Sequence, residues 1–232
     1  MKVITNQKLI KRYNRLGKYL TIISLFVLGG GLVASFTPNY ITWAFFALIA
    51  GFILSQLGIY FGSRWGRSPR PDERLTNALK GLADNYVLYH YVTDVAHLLI
   101  GPAGNWVLLP YPQAGVITYD EKKNRWKQKG GNLYMKIFAQ EGLGRPDQDI
   151  NAALKDARNY LVRATEGQEK PIQAVLVFTN PKAQVEAENA PFPAVSAEKL
   201  KDFIRRKAKE NPASAEELKV LQKMLPGEDI ES

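Results

Sequence analysis

The chain of 232 residues contains no cysteine and only two histidines, His90 and His97. This composition excludes disulfides, thiolate nucleophiles and cysteine-ligated zinc, and it leaves too few imidazoles for a histidine-rich metal site, so we expect no cofactor. The net charge of +9 is unevenly distributed, since residues 1–74 carry ten Lys and Arg against two acids while residues 75–232 carry 21 against 20. The near-neutral second part is not typical of a dedicated nucleic-acid-binding protein.

Residues 19–63 contain no charged side chain. One crossing of a bilayer takes about 20 residues, so this stretch is long enough for two crossings. Residues 37–40 read Thr-Pro-Asn-Tyr, and the proline and asparagine favour a turn. We therefore predict a two-helix transmembrane hairpin over residues 19–63, with spans over 19–36 and 41–62.

Basic residues flank this stretch on both outer sides, in the N-terminal segment 1–18 and in the linker 64–71. Because basic flanks stay on the cytoplasmic side, we predict a multi-pass protein of the cell membrane with both termini in the cytoplasm. A cleaved signal peptide and a soluble helical hairpin are the alternatives, but no A-x-A site follows the first span and a second apolar span comes at once. Neither span carries a charged group for transport, so we predict a membrane anchor.

The sequence after the linker predicts a cytoplasmic domain. Apolar residues recur at helical spacing over 72–83, and residues 86–92 have the β-branched and aromatic composition of a strand. Two apolar runs, 97–100 and 105–109, are joined by Gly-Pro-Ala-Gly, which favours a β-hairpin. Both runs are apolar at consecutive positions, so we expect both faces of their sheet to be covered.

The rest of the sequence adds alternating helices and strands. Ser196 is predicted to cap one C-terminal helix, and Ser214 begins a capping box for another. This order predicts an α/β fold with a mixed sheet flanked by helices, in a domain over 72–195 followed by C-terminal helices over 196–232. The other predicted elements are strands over 115–119, from Trp126, over 171–179 and over 192–195, and a helix over 150–161.

The segment from the first helix through the hairpin resembles the nuclease-related domain, NERD, a branch of the PD-(D/E)XK or restriction-endonuclease-like fold. Residues 97–108, HLLIGPAGNWVL, are similar to the family's histidine, apolar run, Gly-Pro-x-Gly and second apolar run. Upstream, Glu73 stands where the family usually has a glutamate. Downstream, Gly115 and the Pro-Asp-Gln at 146–148 resemble the family's pattern, with the helix start one residue shorter. The resemblance covers residues 71–195.

The resemblance implies a divalent-metal site formed by an aspartate, a glutamate and a lysine on the hairpin, where the metal activates water against a phosphate. This sequence departs at all three positions, which hold Ala96, Leu109 and Tyr111. None of these side chains binds a hard cation or carries a positive charge at pH 7. The implied catalytic site is therefore degenerate, and we predict neither a catalytic residue nor a metal ligand there.

A relocated catalytic site remains an alternative interpretation. Of the family's polar positions, Glu73 and Gln148 are retained, and Asp94 lies two residues before the lost aspartate position. The other candidate carboxylates for such a site are Asp120 and Glu141, and the candidate lysine is Lys136. Such a site requires several coincidences, since a misplacement of about 1 Å already costs about a hundredfold in rate.

Two basic clusters are candidates for anion contacts. The first surrounds Trp126 and suggests phosphate contact with base stacking, although a solvated hairpin tip is the favoured interpretation. The second lies on the helix over 196–209, which is able to face anionic lipid but more often packs its apolar face on the domain. The candidate residues are Lys122, Lys123, Arg125, Trp126, Lys127, Arg205 and Arg206.

These observations predict a membrane-anchored pseudoenzyme that acts as a binding or scaffold module for an unidentified protein partner. Its other partners are the lipid bilayer and, less favoured, nucleic acid. The alternative is a membrane-tethered, metal-dependent nuclease with a rearranged site, and a third hypothesis is a module that binds a lipid surface.

Overall fold

The structure, a computed structural model, describes residues 1–130 and 142–230. The chain divides into two compact units, one made of Gln7–Arg70 and the other of Met1–Asn6 together with the chain from Pro71 onward. The first unit is therefore inserted into the sequence of the second. We call the first unit the helical hairpin and the second the sheet domain.

The helical hairpin contains α1 (Gln7–Ser35) and α2 (Ile41–Phe61), joined by a turn of 3₁₀ helix at Pro38–Tyr40. Both helices are long and apolar enough to cross a membrane. The turn lies where the sequence predicts it. The first helix begins at Gln7 rather than near residue 19, because the basic residues that precede the apolar span are themselves good helix formers.

Small residues allow the two helices to approach closely. Gly31, Gly51 and Gly58 are buried, and a Cβ atom at Gly51 would lie 2.7 Å from Cγ of Leu28. A Cβ atom at Gly58 would lie 2.6 Å from Oγ1 of Thr21. This small-residue contact is the kind of packing that associates transmembrane helices.

The sheet domain is built on a six-stranded mixed sheet with the order β1-β2-β3-β4-β7-β9. The β2–β3 and β3–β4 pairs are antiparallel, whereas β1–β2, β4–β7 and β7–β9 are parallel. The strands are β1 (Lys2–Thr5), β2 (Val87–His90), β3 (His97–Gly101), β4 (Gly104–Tyr111), β7 (Ile172–Phe178) and β9 (Ala194–Ser196).

A second sheet has three strands in the order β6-β5-β8. Strand β5 pairs antiparallel with β6 and parallel with β8. The strands are β5 (Gly115–Asp120), β6 (Arg125–Lys129) and β8 (Ala183–Glu186). Its inward side chains, such as Ile117 and Trp126, join the core that lies on one face of the larger sheet.

Helices cover both faces of the six-stranded sheet. One face carries α3 (Pro71–Leu79) and α5 (Ala197–Glu210), whose apolar residues pack with Trp106 and Leu108. The other face carries α4 (Pro146–Ala164) and α6 (Ala215–Met224). The predicted α/β class with a mixed sheet flanked by helices is thus confirmed, and the hairpin strands β3 and β4 are covered on both sides.

The most informative difference from the sequence prediction is β1. Residues 1–18 were expected to form a separate basic segment, but Lys2–Thr5 pair with Val87–His90 at the edge of the sheet. The C-terminal helices α5 and α6 likewise belong to the same unit as the strands. A four-residue strand whose partner lies more than 80 positions away leaves no periodic signal of its own, so local pattern does not reveal it.

The predicted N-cap residues of the two C-terminal helices are in the expected positions, but the predicted side-chain hydrogen bonds are not formed. Ser196 and Ser214 precede α5 and α6 as expected, yet neither side chain makes a capping hydrogen bond. The Ser214 carbonyl accepts the backbone N–H of Leu218, which is the ordinary first hydrogen bond of the helix.

Candidate functional site

Two of the three substituted positions, Leu109 and Tyr111, lie on β4, and the third, Ala96, precedes β3. The antiparallel pairing of the two strands ends where Leu98 lies opposite Val107. Side chains two residues apart on a strand share a face. Leu109 and Tyr111 accordingly lie on the face of the sheet that α4 covers.

Packing occupies two of the three positions. Ala96 is exposed, and Leu109 is half-buried against the core. Tyr111 is only 8% exposed, its ring lies 5.6 Å from that of Phe178, and its hydroxyl donates to Oδ2 of Asp149 at 2.5 Å. An alanine, a leucine and a hydrogen-bonded phenol offer no hard anionic oxygen to a divalent cation.

The first turn of α4 supplies the acids that hold this region together. The helix begins at Pro146, four residues before the range that periodicity predicts, and Asp147 and Asp149 follow in its first turn, where carboxylates suit the helix dipole. Asp147 accepts a hydrogen bond of 2.8 Å from Nε1 of Trp126, and Asp149 accepts the one from Tyr111. The side chain of Gln148 is exposed.

Sequence reasoning did not single out Asp147 or Asp149 for this role. Their place in a first helical turn was the available signal, but their tyrosine and tryptophan partners lie 38 and 21 residues away.

The carboxylates considered for a relocated site lie on separate elements. Asp94 forms an ion pair with Arg163 of α4, and Asp120 forms one of 2.5 Å with Lys127. Glu73 lies on α3, which covers the opposite face of the six-stranded sheet from Tyr111. Over residues 1–130 and 142–230, no three His, Asp or Glu side chains are grouped for a metal. Glu141 and Lys136 lie outside the described residues.

Two buried histidines form a polar link on the face covered by α3. His90 and His97 face each other across β2 and β3, and their Nδ1 atoms are 2.8 Å apart. Nε2 of His90 is 2.9 Å from the hydroxyl oxygen of Thr76 on α3. Since a nitrogen–nitrogen contact needs one donor and one acceptor, only one of the two Nδ1 atoms carries the shared hydrogen. His97 is therefore a hydrogen-bonded residue of the core.

The first basic cluster differs from its prediction in one respect. Trp126 is 8% exposed and its ring faces the core 5.4 Å from that of Tyr119, so it does not present a stacking surface to a base. The basic side chains point to solvent. Lys122 and Lys123 lie in an exposed 3₁₀ turn, and Arg125 and Lys127 are exposed on β6.

Asp120 is the polar anchor of this turn. Its carboxylate accepts a hydrogen bond from the backbone N–H of Lys123 and another from the Lys127 ammonium. The Lys127 hydrogen bond is the main cause that holds the pKa of Asp120 below its ordinary value of 3.8.

Some cations of the second basic cluster, on α5, make hydrogen bonds that stabilise the sheet domain. Arg205 donates to the carbonyl of Gly81 at 3.0 Å, and Lys201 donates to that of Lys80 at 3.3 Å, so both cations serve the carbonyl groups just after α3. Arg206 lies 3.7 Å from Glu210. The apolar face of α5 is buried against the sheet through Leu200, Phe203 and Ile204, and contact of its basic face with lipid remains a prediction.

The outward face of the three-stranded sheet contains an open cavity of about 690 Å³. Side chains from all three strands line it, among them Val116, Thr118, Lys129 and Glu186. Its lining includes none of Ala96, Leu109 and Tyr111.

No family model matches this chain, and no match was found among curated proteins or solved structures. The similarity to NERD and to the restriction-endonuclease-like fold therefore stays a prediction from the residues.

Proposed function

We propose that this chain is a membrane-anchored binding or scaffold protein whose NERD-like domain does not catalyse metal-dependent cleavage. The observation that carries the proposal is the use of Leu109 and Tyr111 in packing. Leu109 packs against the core, and the Tyr111 hydroxyl donates a hydrogen bond to the Asp149 carboxylate. Restoring a metal site there requires breaking interactions that stabilise the domain.

The exposed surface of the helical hairpin supports the membrane part of the proposal. Large apolar side chains point outward along both helices, including Phe26, Trp43 and Phe52. Soluble proteins rarely expose a contiguous apolar patch of more than a few hundred Å². In this proposal the hairpin crosses the membrane of the cell twice, both termini lie in the cytoplasm, and the sheet domain holds a protein partner at the inner surface.

A nuclease assay tests the catalytic part. Full-length protein in lipid nanodiscs is incubated with plasmid DNA or RNA and with Mg²⁺ or Mn²⁺. We expect no metal-dependent cleavage. Cleavage that is lost on Asp94→Ala or Glu73→Ala would overturn the proposal in favour of a tethered nuclease with a rearranged site.

The absence of cysteine makes the topology directly testable. Single variants Asn39→Cys, in the turn between the helices, and Glu228→Cys, in the sheet domain, are treated with a membrane-impermeant maleimide in intact cells. We expect labelling of Asn39→Cys from outside and labelling of Glu228→Cys only after the membrane is opened. The reverse pattern would contradict the predicted orientation.

The binding part is tested in the native membrane. Amine cross-linking before detergent extraction is expected to trap the chain in a complex with another protein. The matched control is Trp106→Ala, which removes the largest fully buried side chain of the sheet domain and should abolish the complex. If cross-linking recovers the unaltered chain without any other protein, as it does Trp106→Ala, a binding or scaffold role is contradicted.

A further inference from the structure

The outward face of the three-stranded sheet has an ordered arrangement of side chains. The register puts Lys129, Val116 and Gln184 in one row across the sheet, and Lys127, Thr118 and Glu186 in the next. Residues directly opposite each other in a sheet share a face. These rows therefore form one continuous surface, which is the floor of the 690 Å³ cavity.

Opposite charges occupy the two borders of this surface. Strand β6 presents Arg125, Lys127 and Lys129 at every second position, which is the spacing of one strand face. On the other border, Glu186 is exposed on β8, and Glu188 is exposed just beyond it. The neutral side chains of β5 lie between them. With neighbouring strands about 4.8 Å apart, the two borders are about 10 Å from each other.

Two of the cations on β6 are not engaged by a carboxylate of the chain. Lys127 is paired with Asp120. Across residues 1–130 and 142–230, no ion pair is formed by Arg125 or Lys129, and the side chains of Lys122 and Lys123 in the adjacent turn likewise have none. Four cations near this border are thus available to an external anion.

The division of charge argues against nucleic acid as the ligand of this face. A phosphate backbone is negative along its whole length, so it would be attracted at β6 and repelled at the border of Glu186 and Glu188. The inward orientation of Trp126 also removes the only aromatic ring of β6 from the surface, and with it the base stacking that single strands use.

A protein segment is able to match both borders, because it carries carboxylates and cations on different sides. Complementary charge of this kind steers association and selects the partner. We propose that the outward face of the three-stranded sheet docks a protein segment that is acidic along the border facing β6 and basic or neutral along the border facing β8. This inference rests on the proposed binding function and names the chemistry of the partner.

Site-directed photo-cross-linking tests this inference on the full-length chain in its native membrane. A benzophenone amino acid replaces Thr118, at the centre of the face, and a second protein carries it in place of Lys199 on α5 as the position control. We expect a cross-link from position 118 to another polypeptide, whose cross-linked segment is rich in Asp and Glu. Cross-links only to nucleic acid, to lipid or within the chain would overturn the inference.

Charge reversal separates specific docking from chance proximity. The double variant Arg125→Glu, Lys129→Glu is expected to lower the cross-link yield from position 118 about tenfold, because two attractive contacts become repulsive. The matched control Lys199→Glu, Lys209→Glu changes the net charge equally on α5 and should leave the yield unchanged. Equal loss in both double variants would show a dependence on net charge alone and would also overturn the inference.

The opposite border gives the sharpest discrimination between ligand classes. Glu186→Lys is expected to weaken binding of a protein segment with a basic border and to leave binding of one with a neutral border unchanged, whereas it would strengthen binding of a labelled single-stranded oligonucleotide or of anionic vesicles. A partner that still cross-links to the chain elsewhere, with no effect of any reversal on this sheet, would reject the docking face and leave the binding function intact. Metal-dependent cleavage would reject the binding function itself.

Discussion

Within the two apolar spans of the helical hairpin the buried positions are small residues, whereas in the sheet domain the buried positions include the largest side chains. Gly31, Gly51 and Gly58 lie between α1 and α2, while Phe26 and Trp43 are 73% and 72% exposed. In the sheet domain Trp106 is 1% exposed. The same chain therefore follows two opposite burial rules.

The proposed membrane anchor accounts for this contrast. In water, burial of large apolar side chains is the main favourable term, so they fill the core of the sheet domain. Between lipid chains that term is absent, and helices associate through close packing of small residues instead. The outward apolar residues of the hairpin and its inward glycines both fit the proposed membrane environment.

The largest effect is expected in the core of the sheet domain. Trp106 packs edge-on against Phe203 at 5.3 Å and donates its indole N–H to the Ala103 carbonyl. Trp106→Ala should lower the free energy of unfolding by about 3–5 kcal/mol. Urea unfolding of the full-length protein in micelles, followed by circular dichroism, measures it. Val220→Ala at an exposed position is the control, with an expected change within about 0.5 kcal/mol.

A charge on the outer surface of the hairpin should have the next largest effect. Phe26→Arg puts a cation on the outward face of α1, where insertion of a central arginine costs about 2.5–3.5 kcal/mol. We expect a smaller carbonate-resistant fraction in a membrane insertion assay, and Phe26→Leu should insert normally. Unchanged insertion of the arginine variant would mean that this surface faces water, and the contrast between the units would be lost.

The packing between the helices can be tested with two glycines of the hairpin. Gly58→Val forces its side chain against Thr21, so overpacking should cost about 1–3 kcal/mol. Gly30→Val is the matched control, because a Cβ atom there meets nothing within 4 Å. Cysteine pairs placed across α1 and α2 report the packing through their rate of disulfide formation. Equal rates in the two variants would argue against a specific interface.

The smallest effect is expected at the surface of the sheet domain. Because Lys127 lowers the pKa of Asp120, this carboxylate contributes stability above its ordinary pKa of 3.8, and the contribution is lost as the pH falls through the lower folded value. The carbon-13 titration of the Asp120 carboxyl should have a midpoint below 3.8, and Lys127→Met should raise it. A midpoint that does not respond to this substitution would remove Lys127 as the cause.

Local patterns predicted the parts of the fold that depend on local physics. The uncharged stretch predicted two apolar helices and their turn, and Gly101 to Gly104 predicted the β3–β4 hairpin. The sequence analysis does not predict strands β1 and β8. Each has only four residues and pairs with a strand that is distant in the sequence, β2 and β5 respectively. The period of two in β6 was a usable signal, because it puts Trp126 on the face opposite to Arg125 and Lys127.

The candidate site was predictable in what it lacks and not in what replaces it. Ala96, Leu109 and Tyr111 are visible in the sequence as unsuitable for metal chemistry. The bond from Tyr111 to Asp149 joins a strand to a helix across 38 positions. Such tertiary contacts depend on how the layers pack, and residue periodicity carries no information about them.

The position of the hairpin within the sequence also sets the order of biosynthesis. Strand β1 is translated before the hairpin, and its partner β2 only after both apolar helices. Strand β1 must therefore remain unpaired until both helices have been made, and the six-stranded sheet forms afterwards. A gene shortened to start at Pro71 would encode a sheet without β1. Strand Val87–His90 would then be an unpaired edge strand, which favours aggregation.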